Sequence, residues 1–181
     1  MSSIYEPAED SYLLSSVLKK EIPKLVKENS ELKFLEVGSG SGIQLGTLFS
    51  LGIKKENIFS CDINPKAVEH CKNLGFQCFE SNLLEKVKGK FNLIIFNPPY
   101  LPKDEREPEN SRRETTGGKK GNEVLIEFLK QVKDYLLKEG KIFLVESSLA
   151  EKINFEDLGF ESKKISSKKL FFEELAVWEL K

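Results

Sequence analysis

Phe91-Asn92-Leu93-Ile94-Ile95-Phe96-Asn97-Pro98-Pro99-Tyr100 opens as an apolar run and closes as a rigid rim. The run has the length and β-favouring content of a buried parallel strand. It stops at two prolines, neither of which can donate to a ladder. Each proline also drives the residue before it out of the α region. Asn97 and Pro98 are therefore expected to be extended, with carbonyls that no helix consumes. Asn97 adds one side-chain acceptor and two donors. Such a rim, at the carboxyl end of a strand, lies where open α/β sheets bind ligands. It suits a planar nitrogen carrying N–H groups. The Asn97 Oδ1 and the Pro98 carbonyl can hold its hydrogens and aim it at an electrophile. An isolated Asn before Pro is an ordinary turn residue; these four residues after a buried strand are far more specific.

Upstream, residues 32–37 read as another strand, running into Glu36-Val37-Gly38-Ser39-Gly40-Ser41-Gly42 and then a helix over 43–51. Closely spaced glycines let a backbone approach a ligand at the head of a helix. A dinucleotide fingerprint would need Gly at 38, 40 and 43, and position 43 is Ile, so that pattern fails. Glu36 beside the loop suits a ligand carrying ammonium and sulfonium charge and would repel a pyrophosphate. Residues 57–62 form a further strand ending in Asp62, about 20 residues past the loop, the spacing at which an acid accepts from ribose hydroxyls. Asn64-Pro65 then reads as a helix N-cap with proline at the first helical position, which assigns Asn64 to capping. Residues 76–80 make a third strand, closing at Asn82, which is either a turn residue or a reader of an adenine edge.

Before the glycine loop, Leu13, Leu14, Val17 and Leu18 recur at helical spacing. Pro7 fits the first turn, Glu9 and Asp10 have a sufficient explanation in the helix dipole, and Pro23 is expected to interrupt the helix before a short 24–29 segment. After the rim, residues 101–121 are dense in both charges and lack apolar periodicity, the pattern of a mobile loop or lid over a site or, equally for the central part, of a solvated disordered excursion. The glycine-rich end, 115–121, is expected to fold back over it. Asn122 caps an amphipathic helix carrying Val124, Leu125, Phe128, Leu129, Val132, Tyr135 and Leu136, which Gly140 ends. Residues 141–146 read as a fifth strand, 151–158 as a short helix, and 163–167 with 175–180 as a closing antiparallel pair.

Strands alternating with helices predict an α/β fold, a doubly wound and mostly parallel seven-stranded sheet with helices on both faces and an antiparallel last strand. The glycine loop, Asp62 and Asn97 all fall at carboxyl ends of strands, which line one crevice in such a sheet. The 181 residues suit one domain, 1–181, with 1–30 as an N-terminal helical segment and 101–121 as a substrate loop. With 28 basic and 29 acidic residues, the net charge of -1 speaks against an enzyme clamping a long nucleic acid. No apolar run spans a membrane and no signal-peptide core opens the chain. Cys61, Cys71 and Cys78, with no CxxC spacing, suggest small core residues and a reducing, cytoplasmic setting. His70 is the only histidine, no metal-ligand spacing occurs, and no metal is expected.

Tyr5-Glu6-Pro7-Ala8-Glu9-Asp10-Ser11, Glu36-Val37-Gly38-Ser39-Gly40-Ser41-Gly42, Asp62-Ile63-Asn64-Pro65, Asn97-Pro98-Pro99-Tyr100 and Gly117-Gly118-Lys119-Lys120-Gly121 together resemble the HemK-type class I methyltransferases, in their archaeal and eukaryotic branch. The opening segment discriminates most, because base methylases share Asn-Pro-Pro-Tyr without it. Bacterial members carry an extra N-terminal helical domain that this chain is expected to lack. The resemblance implies a Rossmann-like fold and an S-adenosylmethionine-dependent enzyme that methylates the glutamine amide of the Gly-Gly-Gln motif in a class I peptide release factor. It implies Ser11, Glu36, Gly38, Gly40, Asp62, Asn82 and Leu83 at the cofactor. Asn97 would hold the substrate amide, with Pro98, Pro99 and Tyr100 shaping the pocket. Where the family often has an acid after the third strand, this chain has Asn82, whose carbonyl can accept from an adenine amino group without charge assistance. Members of this branch pair with a small zinc-bearing activator subunit, for which the apolar edge strand 76–80 is the expected docking edge. An amino-group DNA or RNA methyltransferase would share the rim but bring a basic surface. A non-catalytic cofactor-binding scaffold would have no need of intact Glu36, Asp62 and Asn97.

Overall fold

The computed structural model describes residues 4–28, 31–106, 108, 112 and 115–181. Helix α1 (Glu9–Glu28) leads into β1 (Phe34–Val37), α2 (Ile43–Ser50), β2 (Ile58–Asp62), α3 (Pro65–Asn73), β3 (Gln77–Glu80) and β4 (Phe91–Phe96). Two short strands follow, β5 (Leu101–Pro102) and β6 (Thr116–Gly118), then α4 (Glu123–Gln131), β7 (Leu136–Ser147), β8 (Ser162–Lys169) and β9 (Glu174–Leu180). The main sheet is seven-stranded in the order β3-β2-β1-β4-β7-β9-β8. β3 through β7 pair in parallel, and β9 runs antiparallel to both β7 and β8.

Strand β4 shows how the sheet divides the core. Leu93 and Ile95 join Leu14, Leu18, Leu45 and Leu48 on one face; Ile94 and Phe96 join Leu125, Phe128 and Leu129 on the other. A strand buried on both sides must be apolar throughout, which is why its sequence does not alternate. The chain leaves β1 toward β2 and β3, then returns to place β4 on the other flank of β1. A crevice opens at such a reversal, outside the carboxyl ends of the strands. Cys61, Cys71 and Cys78 are free thiols buried in the core. No helix among the described residues is long and apolar enough to cross a membrane.

Several expected boundaries move, each for a local reason. Pro7 lies before α1, and Pro23 lies inside it. A proline there removes one intrahelical bond, at about 3 kcal/mol. The helix continues because Leu25 and Val26 beyond the proline pack against the core, and apolar burial contributes up to about 1.5–3 kcal/mol per aliphatic side chain. The 24–29 segment therefore belongs to α1 as far as Glu28; Asn29 lies outside the described residues. Asn122 stands at the N-terminus of α4 but makes no side-chain cap, since its Nδ2 donates to the Glu151 carbonyl. Nor does α4 reach Gly140. It ends at Gln131, a 3-10 turn spans Val132–Tyr135, and the chain is already paired with Phe91 at Leu136. Gly140 sits inside β7, where a Cβ would meet the Phe91 carbonyl at 3.0 Å. The expected 151–158 helix is reduced to a 3-10 turn, Glu156–Leu158, because the Glu151 amide donates across to the Lys120 carbonyl. The ends of 101–121 are not free: β5 and β6 pair in parallel. Its centre, 107, 109–111 and 113–114, lies outside the described residues.

Candidate active site

The crevice at the sheet's reversal is a cleft of about 610 Å3, within the range of small-molecule sites. Its walls include Ser11, Glu36, Gly38, Gly40, Asp62, Asn82, Leu83, Asn97, Pro98, Pro99 and Tyr100, so every site residue read from the sequence is brought together. Asp10, Glu127 and Glu173 add to its acidic wall, and among the described lining residues none is basic.

On one side the cleft is made by the loop between β1 and α2. The Gly38 and Ser39 amides both donate to the Cys61 carbonyl, hanging the loop on the end of β2. Gly38 and Gly40 have φ of +70° and +46°, a region that side-chain-bearing residues enter at a cost. Asp62 fixes the loop: its Oδ2 accepts from the Gly40 amide at 2.8 Å and its Oδ1 from the Asn64 amide at 2.8 Å. Burial raises the Asp62 pKa, and these backbone donors oppose the rise. Asn64 caps α3 by accepting from Lys66 N.

Glu36 stands at the base of this loop, 4% exposed. Its Oε2 is buried and has no hydrogen-bond partner. Burial pushes its pKa well above the ordinary value, with the nearby Asp62 charge adding to the rise. An unsatisfied buried carboxylate oxygen costs free energy until a donor reaches it. A cationic ligand head is the partner that fits. Asn82 Nδ2 donates to Glu85 Oε1, which turns the carbonyl oxygen of Asn82 into the group on offer to a ligand. Leu83 follows at φ +45°.

The other side of the cleft is built by side chains. Asn97 Nδ2 donates to Asp10 Oδ2 at 3.0 Å, and the Tyr100 hydroxyl donates to the same oxygen at 3.3 Å. The Tyr5 hydroxyl donates to both Asp10 oxygens, at 3.2 and 3.0 Å, and the Ser11 amide reaches Oδ1 at 2.6 Å. Asn97 Oδ1 is buried and has no partner. Burial drives the Tyr100 pKa well up, and the Asp10 charge adds to it. Glu173 enters from the turn between β8 and β9, held by a 2.6 Å bond from the Ser147 hydroxyl.

The helix dipole is therefore an insufficient account of Asp10. Glu9, exposed and ion-paired with Lys168, fits that role; Asp10 is 3% exposed and faces the rim. Periodicity alone hides the distinction, though Asp10 lies within the opening segment that carries the resemblance. Glu173 carries no local signal. Strand β3 is indeed a sheet edge, but the expected apolar exposure is corrected: Phe76 and Cys78 are buried and Phe79 packs against the core. What remains open is the backbone edge, with Gln77 and Glu80 outward.

A family model, the methyltransferase small domain, matches residues 10–158. A Methanocaldococcus jannaschii protein provisionally named a protein N5-glutamine methyltransferase is 40% identical, over 98% of this chain and 92% of its own length. Human methyltransferase HEMK2 is 34% identical, over 80% of this chain and 72% of its own. Among solved structures, the E. cuniculi Mtq2–Trm112 complex, responsible for methylation of the eRF1 translation termination factor, has a chain of TM-score 0.71 at 23% identity. The match covers 98% of this chain and 97% of that one.

Proposed function

The chain belongs to the methyltransferase small-domain family, and we propose that it is an S-adenosylmethionine-dependent N-methyltransferase whose acceptor is the glutamine amide of a Gly-Gly-Gln motif in a class I peptide release factor. The observation that carries this reading is the buried, unpartnered Asn97 Oδ1 on the Asn-Pro-Pro-Tyr rim. It is an acceptor awaiting an N–H, beside a second carbonyl at Pro98. The Methanocaldococcus jannaschii relative, named for N5-glutamine methylation, supports the choice of amide. A cleft lined by acids without a lysine or arginine among its described residues favours a protein over a nucleic acid, whose phosphates it would repel.

The orphaned Glu36 Oε2 suits a cationic cofactor. In this reading Ser11, Glu36, Gly38, Gly40, Asp62, Asn82 and Leu83 hold S-adenosylmethionine. Bound there, it would supply an electrophilic methyl group on a positively charged sulfur, for transfer to the amide nitrogen with loss of one proton from that nitrogen and the neutral thioether left behind. The protein's task is to position. Asn97 Oδ1 and the Pro98 carbonyl take the two amide hydrogens and aim the nitrogen, while Pro99 and Tyr100 shape the pocket around it. Correct positioning is worth roughly 7–11 kcal/mol in favourable cases, and no general base is required, because the nitrogen becomes acidic only as it is alkylated.

The activator partner of this branch would join by strand addition at β3, where the sheet ends with backbone groups open. The 1–181 span would act as one catalytic domain, with 101–121 as the segment that meets the substrate. The test is radiolabelled methyl transfer, with and without the small activator subunit, onto a release factor and its Gly-Gly-Gln→Gly-Gly-Ala variant. Label on the first alone is expected. Label on neither, with cofactor still bound, would overturn the substrate, and RNA and DNA would be tried next.

A further inference from the structure

A side-chain amide can be turned over with little steric change, so a buried Asn left to itself offers either an oxygen or an NH2 to whatever lies in front of it. At Asn97 the choice matters. An amide nitrogen in the cleft needs an acceptor, and an NH2 in that place would repel its hydrogens. The Asn97 amide is tied at one end only: Nδ2 donates to Asp10 Oδ2, and Oδ1 is left without a partner. Turning the amide over would set oxygen against the carboxylate, acceptor facing acceptor.

Asp10 is equipped to hold that tie. Every group that reaches it is a donor: the Tyr5 hydroxyl, the Ser11 amide and hydroxyl, Asn97 Nδ2 and the Tyr100 hydroxyl. An ionised carboxylate accepts and cannot donate, so the network has one consistent direction. The Ser11 amide fixes Oδ1 from within α1, which leaves Oδ2 to bridge Asn97 and Tyr100. Its contact with Asn97 joins the start of α1 to the end of β4, 87 residues apart.

We propose that Asp10 is a positioning residue: it locks the Asn97 amide so that the site presents oxygen, and only oxygen, to the substrate nitrogen. This rests on the reading of Asn97 as the amide holder. Asp10 itself need not touch substrate or cofactor. The acid at the start of α1 then decides which kind of atom the rim can receive: a nitrogen with hydrogens to give.

The experiment compares wild type, Asp10→Asn, and the exchange variant Asp10→Asn/Asn97→Asp. Asp10→Asn keeps the shape but lets either end of residue 10 face Asn97. Loss of one charge-assisted bond corresponds to about a 10- to 100-fold change, so kcat is expected to fall by that order, with the cofactor Kd changed less than about twofold. In the exchange variant the amide at position 10 donates to the carboxylate at position 97. An oxygen again faces the nitrogen, and kcat should recover most of the loss. A merely structural role for Asp10 predicts no such rescue. A second readout needs no substrate: the Asn97 side-chain NH2 signal, assigned by its absence in Asn97→Ala, should be protected from solvent exchange in wild type and lose that protection in Asp10→Asn. An unprotected Asn97 NH2 in wild type, or wild-type kcat in Asp10→Asn, would overturn the inference. If wild type transfers no methyl group to a release factor, the substrate reading fails, while the NH2 signal still decides the role of Asp10.

Discussion

On the glycine-loop side of the cleft the holding groups are backbone amides, gathered by one carboxylate, Asp62, each of whose oxygens already accepts one amide of the protein and keeps a lone pair for a ligand. On the rim side they are side chains, gathered by another carboxylate, Asp10, and one acceptor is left over at Asn97. Glu36, between them, also has an oxygen left over. A satisfied group holds shape, whereas a buried unsatisfied group marks where a ligand completes the structure. The contrast separates what shapes the cleft from what meets its occupants, and it predicts different kinetic faults on the two sides.

Asn97→Ala should show the largest effect. Removing one preorganised partner of a reacting group costs about 2.7–4 kcal/mol, so kcat should drop on the order of 10²–10³-fold. Cofactor binding, measured by titration calorimetry, should be unchanged; a weakened cofactor with normal kcat would erase the contrast.

Glu36→Gln comes next and should split stability from binding. It removes a buried charge that lacks a partner, so the ligand-free protein should melt higher, by about 2–4 °C. The cofactor loses its ionic partner, and its Kd should rise about 10- to 100-fold. A higher Tm with the cofactor Kd unchanged or lowered would show that Glu36 is not waiting for a cation.

The same group sets a milder dependence on pH. Its folded pKa is raised above the ordinary value of 4.5. Between those two values the folded chain holds a proton that the unfolded chain has released, so this group's contribution to stability falls as pH rises. A cation prefers the ionised form. Cofactor binding in that window should therefore release a proton and strengthen with pH, which calorimetry in buffers of different ionisation enthalpy would read. Asp62→Asn should be the gentlest at saturating cofactor. One amide of the pair Gly40 and Asn64 would face an NH2, at about 1–3 kcal/mol of stability, seen as a lower Tm with kcat within about tenfold of wild type.

How legible this was depended on range. The strands announced themselves because β1, β2 and β4 are buried almost throughout and are therefore mostly apolar, without a polar alternation. The glycine loop, Asp62 and the Asn-Pro-Pro-Tyr rim were readable because each site residue sits next to its own structural cause. Helix ends were less so. Pro23 and Gly140 are breakers by local rule, overruled by the packing of Leu25 and Val26 and by the pairing of Leu136 with Phe91. Asp10 was least legible. An acid in a first turn has a local explanation, and its actual partners lie as far as 90 residues away at Tyr100.

The ion pair between Glu9 and Lys168 ties the first helix to β8, near the far end of the chain. A chain emerging from the ribosome would expose Asp10 first, Asn97 later, and the strand that steadies α1 later still. Contacts of such long sequence separation form late. The rim is thereby timed: a chain made as far as β4 has the asparagine but not yet the clasp behind the acid that turns it, so the competence to methylate would wait for β8.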